Sequence, residues 1–590
     1  MTGEPARSSR PTGSPPERGR RPHVWPLIVL NLSAVLLAQR FLNGALGEWG
    51  GDNVYFLLLA EALSRGQGYV DLYWPGQPAH FNYPPLYPLL LTPFVLAGSP
   101  LIVFKGFTAA LGLAGLNVCY FVLLRWHDRT TALLVSLSTL CCGAFLDSGL
   151  SIMSESPYFL FSMLTVLLVQ RSFDADRRSP GLWVASGATM GLSVLTRLIG
   201  VVFGPATIAF ALLTPARHLG RWERARRLAV IGVVAAALAG PWFLRGAASE
   251  ATRSRNYFRE FTDNQTIQAR IEAEAEKNRL AASRRPPAGD VVPLEKLAAP
   301  PQPARGSRVR ELMVRPLDNL RNLGTRLSDT PLPESIVALG PQASLAVRIG
   351  FVALCALLAG LAFLGWIRGL LTRRSVHDFY VSFYLLLLLV WIGGGFRMVM
   401  PILVFLLAYV YEGAVFLARF SKRASDFGRL VLAVSIVANL AVTFQFPLIR
   451  DRLDGRYAPW WADLLTATCR LGTVARPGQK VIASPENVPY YLAGLQAGRL
   501  PERNTPEALL EVMLVSKADF LITSSVQLTR YGEKISVALR KYPVFFRRII
   551  KEGDIEVYRI LRDPGADASE PPEPAASAAS GSARCAEVLR

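Results

Sequence analysis

Long apolar runs of roughly 16 to 24 residues alternate with short polar connections over most of the chain. At a helical rise of about 1.5 Å per residue, runs of this length are typical of helices that cross a bilayer. We predict eleven membrane spans, near residues 24–40, 101–124, 130–147, 156–170, 181–196, 198–214, 228–245, 344–366, 376–392, 398–417 and 429–446.

The pattern changes after residue 450, where short alternating segments replace the long apolar runs. β-branched and apolar clusters separated by turn residues favour strands, and two of them flank Gly553-Asp554 as a predicted hairpin. The predicted strands are 480–484, 519–523, 544–550 and 555–561, and the predicted helices are 506–517 and 528–541. We therefore expect a small C-terminal α/β domain outside the membrane.

Composition supports a polytopic α-helical membrane protein. The 590-residue chain is 51% hydrophobic and 18% charged, with a mean hydropathy of +0.29. Soluble domains average about 25% charged residues, so the composition argues against an ordinary cytosolic enzyme. A net charge of +20 also occurs in nucleic-acid-binding proteins. Here the Arg residues cluster between apolar runs, where they orient helices, so we expect no nucleic-acid partner.

The placement of Arg and Lys predicts the orientation in the membrane. Basic clusters follow every second span and lie on the same side as the Arg-rich N-terminus, at 125–129, 171–178, 217–227, 368–374 and 419–429. Positive connections face the cytoplasm. The N-terminus is therefore predicted to be cytoplasmic, and the segment after 446 extracytoplasmic.

The expected organisation has four parts. They are a disordered tail over 1–23, a transmembrane domain over 24–450 with outer loops at 41–100 and 246–343, a soluble α/β domain over 451–562, and a disordered tail over 563–590. The six cysteines suggest no disulfide framework or metal site, because most lie in apolar runs and Cys469 and Cys585 are far apart in sequence.

The first outer loop is the most informative segment. Asp52 immediately precedes a helical pattern with Tyr55, Leu58, Leu59 and Leu63 on one face, which predicts an amphipathic helix at the membrane surface. An Asp at such a position is also a common helix N-cap, so both interpretations of its carboxylate stay open.

A second motif in this loop runs from residue 80 to 90 and contains Tyr83-Pro84-Pro85-Leu86-Tyr87-Pro88. Together with an Asp after the first span, a surface helix and a Gly-rich connection, it resembles the polytopic glycosyltransferases of the GT-C superfold. Bacterial relatives of protein O-mannosyltransferases and of aminoarabinose transferases that act on lipid A are the most similar. The resemblance covers about 24–450 in topology, and only the first loop carries a specific motif.

The resemblance implies an enzyme that takes a sugar from a polyprenyl-phosphate-linked donor. An acceptor hydroxyl, on a lipid, glycan or protein, attacks the anomeric carbon at the outer face of the bacterial cytoplasmic membrane. The family's first-loop Asp carries over to Asp52, as the group that takes or orients the acceptor's proton.

A second carboxylate is expected in the short turn after the third span, where Asp147 and Glu155 stand. Relatives carry an acidic residue at this place, which makes Glu155 a second catalytic candidate. The alternative for Glu155 is a first-turn residue that the helix dipole favours, and for Asp147 this alternative is preferred.

Three arginines lie on the predicted outer side, against the usual charge bias, and are candidates for binding the donor phosphate. They are Arg197, Arg245 and Arg397. The alternative for each is snorkelling of the guanidinium to the membrane interface.

The remaining candidates are loop side chains that contact substrate. His80 is a candidate on the acceptor side, and Tyr83 and Tyr87, with Tyr69 and Trp74, are candidates for an aromatic wall. Ordinary loop and membrane-belt roles are the alternatives. A divalent cation is not supported, because Asn53 follows Asp52 where a second acidic ligand is needed.

Two other classes of function stay open. A transporter of lipid-linked saccharides places its binding residues near the bilayer midplane on repeated, broken helices. No repeat is visible, and the charged candidates gather at the outer interface. An inactive binding protein is the third alternative.

Overall fold

In the computed structural model, the described residues are 24–47, 51–174, 179–214, 219–248, 345–390, 398–445, 450–498 without 452 and 477, 510, 513–514, 517–524, 532–562 and 579–589. The predicted tail at 1–23, nearly all of the loop at 246–343, and Arg397 lie outside them.

Up to residue 450 the described chain is helical. In chain order the helices are α1 (Val24–Phe41), α2 (Asp52–Ser64), α3 (Leu86–Leu96), α4 (Leu101–Leu123), α5 (Arg129–Cys141), α6 (Gly143–Gly149), α7 (Glu155–Asp174), α8 (Pro180–Thr196), α9 (Phe203–Leu213, after a 3-10 turn at Leu198–Val202), α10 (Arg221–Ala248), α11 (Leu345–Arg368), α12 (Val376–Val390), α13 (Met400–Leu417) and α14 (Ala424–Gln445).

Each predicted span overlaps one of these helices or a helix pair. Among the described residues, six helices are long and apolar enough to cross a membrane, and the pair α5–α6, bent by 65°, makes a seventh. The chain is therefore a multi-pass helical protein, and the count of eleven spans stays a prediction.

The bundle has a packed aromatic core and an apolar outer surface. Phe203 and Tyr380 stack inside it with ring centroids 4.3 Å apart, next to the fully buried Phe405. Leucines such as Leu36 and Leu212 are instead more than half exposed on the outside. A soluble protein rarely exposes such a surface, whereas a lipid-facing bundle does so throughout.

The prediction that α2 is an amphipathic helix at the membrane surface is wrong. The side chains from Phe56 to Ala62 are buried on every face, with Asn53 and Val54. A helix that is apolar all round is a buried helix. It is enclosed by α3 and by the C-terminal part of the chain.

The C-terminal part forms a five-stranded mixed sheet with helices packed on it. The strand order is β2-β1-β3-β5-β4, with β1 parallel to β2 and β3, and β5 antiparallel to β3 and β4. The elements are α15 (Pro459–Val474), β1 (Lys480–Ile482), α16 (Val488–Ala493), β2 (Gln496–Ala497), β3 (Phe520–Ser524), α17 (Gly532–Lys541), β4 (Phe546–Glu552), β5 (Ile555–Ile560) and α18 (Ala579–Val588). The predicted hairpin is present as β4–β5.

Two expectations for this part are wrong. Residues 579–588 form helix α18, although 563–590 was expected to be disordered; residues 563–578 lie outside the described range. Cys585 of α18 forms a disulfide with Cys469 of α15, 116 residues away, although no disulfide was expected. Sequence distance conceals this pair, because α18 reaches α15 and α16 only in the folded domain.

The first loop and the C-terminal part share one hydrophobic core. Val54 and Phe56 of α2 belong to the same buried cluster as Trp461, Leu465 and Val481. The Trp461 indole N–H also donates to the carbonyl of Leu46 at 3.1 Å. The C-terminal domain therefore packs directly against the first loop and shares its core.

Candidate functional site

A cavity of about 80 Å³ lies beside the N-terminus of α2, at the end of the bundle that carries the first loop. Its lining brings together residues from five separate segments of the chain, including Asp52, Phe56, Tyr83, Ser154, Arg197 and Met398. A carboxylate and a guanidinium therefore line one cavity.

Asp52 is the first residue of α2 and is half-buried. The N-cap position belongs to Gly51 and carries no side-chain cap, so the N-cap interpretation of Asp52 is wrong. The Tyr83 hydroxyl donates a 2.7 Å hydrogen bond to Oδ1 of Asp52. This bond fixes the orientation of the carboxylate at the wall of the cavity.

His80 holds Tyr83 in place. Its Nε2 accepts the Tyr83 backbone N–H at 2.9 Å, and the two rings stack with centroids 5.5 Å apart. Since Nε2 is an acceptor, Nδ1 carries the proton and donates to Asp71 at 2.6 Å. Both ring nitrogens are thus engaged in a side chain that is 2% exposed. The structure places His80 behind Tyr83, and not at the cavity surface.

Arg197 and Glu155 form a buried ion pair. Nη1 of Arg197 lies 2.6 Å from Oε1 of Glu155, with side-chain exposures of 17% and 1%. Nη1 also donates to the Ser154 hydroxyl at 3.2 Å, and Nη2 lies 3.3 Å from the Met398 sulfur. Snorkelling to the interface does not describe an arginine in this position. Glu155 anchors Arg197 from behind the cavity wall.

Other predicted residues lie elsewhere. Arg245 donates to the Tyr69 carbonyl at 2.8 Å and packs against the rings of Tyr69 and Trp242, away from the cavity lining. The Tyr87 hydroxyl bonds to Thr108 at 2.6 Å, fully buried. These contacts of Arg245 and Tyr87 stabilise the first loop. Arg397 lies outside the described residues, next in sequence to the lining residue Met398.

The C-terminal domain contacts Gly51, immediately before Asp52, and no motif in the sequence indicates this contact. The side chain of Asn487, fully buried in the turn before α16, donates to the carbonyl of Gly51 at 2.8 Å. Gly51 has φ +87°, and a Cβ there would lie 2.6 Å from Oδ1 of Asn487 and 2.8 Å from Pro485. Only glycine allows this close approach, which fixes the backbone immediately before Asp52.

Glu486 in the same turn binds the aromatic wall. The Tyr55 hydroxyl donates to its carboxylate at 3.1 Å, and the Tyr55 ring packs 5.6 Å from that of Tyr83. Burial, with the adjacent charge of Glu486, raises the pKa of Tyr55 well above its ordinary value. The phenol therefore remains protonated as a donor. The turn at 485–487 thus supports Asp52 both through Gly51 and through the tyrosines.

The described part of this site shows no group of metal-ligating side chains. Within the described ranges no three His, Cys, Asp or Glu side chains are grouped as they are around a bound ion. Among the described residues that line the cavity, Asp52 is the one that supplies a carboxylate.

Comparison with known proteins identifies the fold. Residues 82–244 match the family model described as dolichyl-phosphate-mannose-protein mannosyltransferase. The solved structure of ArnT from Cupriavidus metallidurans in the apo state is similar, with 14% identity and a TM-score of 0.52 over 91% of this chain and 98% of that one. No curated protein sequence matches the chain significantly.

The oligosaccharyltransferase of Archaeoglobus fulgidus is also similar. Its apo form has 14% identity and a TM-score of 0.53 over 90% of this chain and 73% of that one. Its form tethered to an acceptor peptide has 14% identity and a TM-score of 0.52 over 88% and 72%. The chain is therefore a multi-pass membrane protein with the GT-C fold, as the first-loop motif predicted. Asp52 lies before the matched family segment.

Proposed function

We propose that this protein is a membrane glycosyltransferase that moves a sugar from a polyprenyl-phosphate-linked donor to an acceptor hydroxyl at the outer face of the cytoplasmic membrane. The observation that carries the proposal is the cavity that Asp52 and Arg197 share. The family matched at 82–244 is named for dolichyl-phosphate-mannose, which is a donor of this class.

Asp52 is the proposed base. Its carboxylate takes the proton of the acceptor hydroxyl while that oxygen bonds to the anomeric carbon. The bond between this carbon and the phosphate oxygen breaks, and its electron pair leaves with the polyprenyl phosphate. Phosphate is a good leaving group, so one base with charge stabilisation of the leaving oxygens suffices, and the paired carboxylates of glycosidases are not needed.

Arg197 is the proposed phosphate ligand. Its Nη1 is held by Glu155 and Ser154, while Nη2 faces the sulfur of Met398, which is a weak acceptor. A phosphate oxygen is a much stronger acceptor for a guanidinium. Donor binding is therefore expected to replace the Met398 contact while Glu155 keeps Arg197 in place. Glu155 thus acts as a positioning residue in this proposal.

The disulfide supports the outer location of the C-terminal domain. Disulfides persist in oxidising compartments and are rare in the cytosol, and Cys469–Cys585 lies in the domain that the charge pattern places outside. The cavity is next to this domain, since Asn487 contacts Gly51 beside Asp52. Both observations support a reaction on the outer leaflet.

The test uses the purified full chain in lipid nanodiscs, incubated with a polyprenyl phosphate that carries a radiolabelled sugar. We expect transfer of label to an envelope lipid and glycan extract, or slow hydrolysis of the donor, and no reaction with a nucleotide sugar. A second arm measures lipid-linked sugar movement across proteoliposomes. Movement without cleavage of the sugar–phosphate bond would overturn the proposal in favour of a transporter.

A further inference from the structure

A second cavity, of about 190 Å³, lies where α1 ends and α4 begins. Its lining includes Phe41, Lys105, Asp147 and Arg456. None of these residues lines the cavity of Asp52. The reaction proposed above leaves this second cavity without a role.

Lys105 is the main charge of the second cavity. It is a lysine in the first turns of a membrane span, 6% exposed. Its ammonium donates to Oδ1 of Asn43 and to the carbonyl of Ala45, both at 2.9 Å. Both acceptors are neutral, and an ammonium has three N–H donors. The charge of Asp147 on the same lining also acts on this ammonium. An anion that enters the cavity can accept a charge-assisted hydrogen bond from Lys105.

The charges of the lining favour an anionic ligand. Lys105 and Arg456 supply two cations, and Asp147 supplies one carboxylate, so the described lining carries a net charge of +1. Arg456 is mostly exposed and lies 3.4 Å from Asp451. Lys105 is therefore the buried cation of this cavity. A phosphate ester fits both the charge and the hydrogen-bonding capacity of this cavity.

An apolar groove of about 160 Å³ continues from the cavity along the bundle, and Leu150 lines both. The groove lies between α1, α4 and α6 and is lined by apolar side chains such as Val35, Leu113 and Phe145. Val35 is 46% exposed, so the groove opens on the surface where lipid chains lie. A lipid whose hydrocarbon chain lies in the groove therefore has its head group near Lys105.

We propose that the second cavity and its groove bind a phosphate-bearing membrane lipid, with the phosphate at Lys105 and the hydrocarbon chain between α1 and α4. Because Leu150 lines both the cavity and the groove, one lipid can place its head group in the first and its chain in the second. The net positive charge of the cavity lining favours a negatively charged head group. Two sources have this chemistry, a phospholipid such as phosphatidylglycerol and a polyprenyl phosphate. The proposal is independent of the reaction at Asp52.

The experiment measures lipid retention by native mass spectrometry of the detergent-purified full chain after addition of phosphatidylglycerol, undecaprenyl phosphate or diacylglycerol. All variants carry Glu155→Gln with Arg197→Gln, so that binding in the cavity of Asp52 does not contribute. We expect at least tenfold greater retention of a phosphate lipid than of diacylglycerol. Preference for undecaprenyl phosphate identifies a carrier site, and equal retention of both identifies a general phospholipid site.

Two variants test the two halves of the site. Lys105→Met removes the charge, and Ala110→Trp fills the groove from an exposed position that lines it. Each is expected to lower retention at least tenfold. Val103→Trp is the matched control, since Val103 is exposed on the same helix outside the groove. Unchanged retention in both variants, or equal retention of diacylglycerol, would overturn the proposal.

Discussion

Replacing Gly51 by alanine is expected to damage both stability and activity, through the contact between the C-terminal domain and α2. The φ of +87° costs an alanine about 1–2 kcal/mol. The added Cβ would also lie 2.8 Å from Pro485 and 2.6 Å from Oδ1 of Asn487. Overpacking of this kind costs about 1–3 kcal/mol. The total is about 2–5 kcal/mol.

Gly66 offers a matched control. It also has positive φ, +69°, but no atom lies within 4 Å of its added Cβ. Gly66→Ala therefore carries the backbone strain alone, about 1–2 kcal/mol. The difference between the two variants isolates the contact with Asn487 and Pro485, because the same substitution is made at both glycines.

Relief of the contact between the added Cβ and Pro485 also moves Asp52, the next residue and the proposed base. Ordinary carbon–carbon contact requires about 3.5 Å, so Pro485 and the start of α2 must separate by about 0.7 Å. Misplacement of a catalytic group by about 1 Å lowers a rate by about 100-fold. We expect Gly51→Ala to lower kcat by one to two orders of magnitude, and Gly66→Ala to leave kcat near that of the wild type.

The assay combines thermal unfolding with sugar transfer. Cys119, Cys141 and Cys142 are buried thiols outside the disulfide, so a thiol-reactive fluorophore reports unfolding of the bundle. Transfer from radiolabelled polyprenyl-phosphate sugar is measured below the lowest Tm. If Gly51→Ala and Gly66→Ala gave the same Tm and kcat, the C-terminal domain would not position Asp52.

Three further outcomes are expected. Tyr83→Phe removes a hydrogen bond to a charged carboxylate and is expected to lower kcat about tenfold or more, with little change in Tm; an unchanged kcat would contradict the assigned contact. Arg197→Gln leaves the buried Glu155 carboxylate without its ion pair and is expected to cost about 3–5 kcal/mol in the unfolding assay. The double variant with Glu155→Gln is expected to recover stability but not donor binding, and recovery of both would reject Arg197 as the phosphate ligand. Cys585→Ser removes the disulfide and is expected to cost about 2–5 kcal/mol, and a reducing agent should then lower the Tm of the wild type only.

Local sequence patterns predict those parts of the structure that depend on neighbouring residues. The long apolar runs predicted the positions of the helices, and an Asp after the first span with an Arg after a later one predicted two residues that share a cavity. In each case the signal lies within a few residues of the feature. The same applies to the β4–β5 hairpin, whose turn is Gly553-Asp554.

Long-range packing explains what sequence reasoning missed. Gly51 and Asn487 are 436 residues apart, and neither belongs to a motif. The same packing encloses α2, in which the continuous apolar run from Phe56 to Ala60 is itself a signal of burial. The Cys469–Cys585 pair likewise depends on the packing of α18 against α15, since spacing alone does not define a disulfide.

The role of Asp52 is measured by single-turnover sugar transfer with Asp52→Asn in nanodiscs. The amide keeps the shape of the side chain and can still accept the Tyr83 hydroxyl, so Tm and donor affinity should match the wild type. A general base contributes about 10²–10⁴-fold, and the rate of transfer is expected to fall by that factor. Transfer at close to the wild-type rate would show that the proton leaves by another route and that the proposed mechanism is wrong.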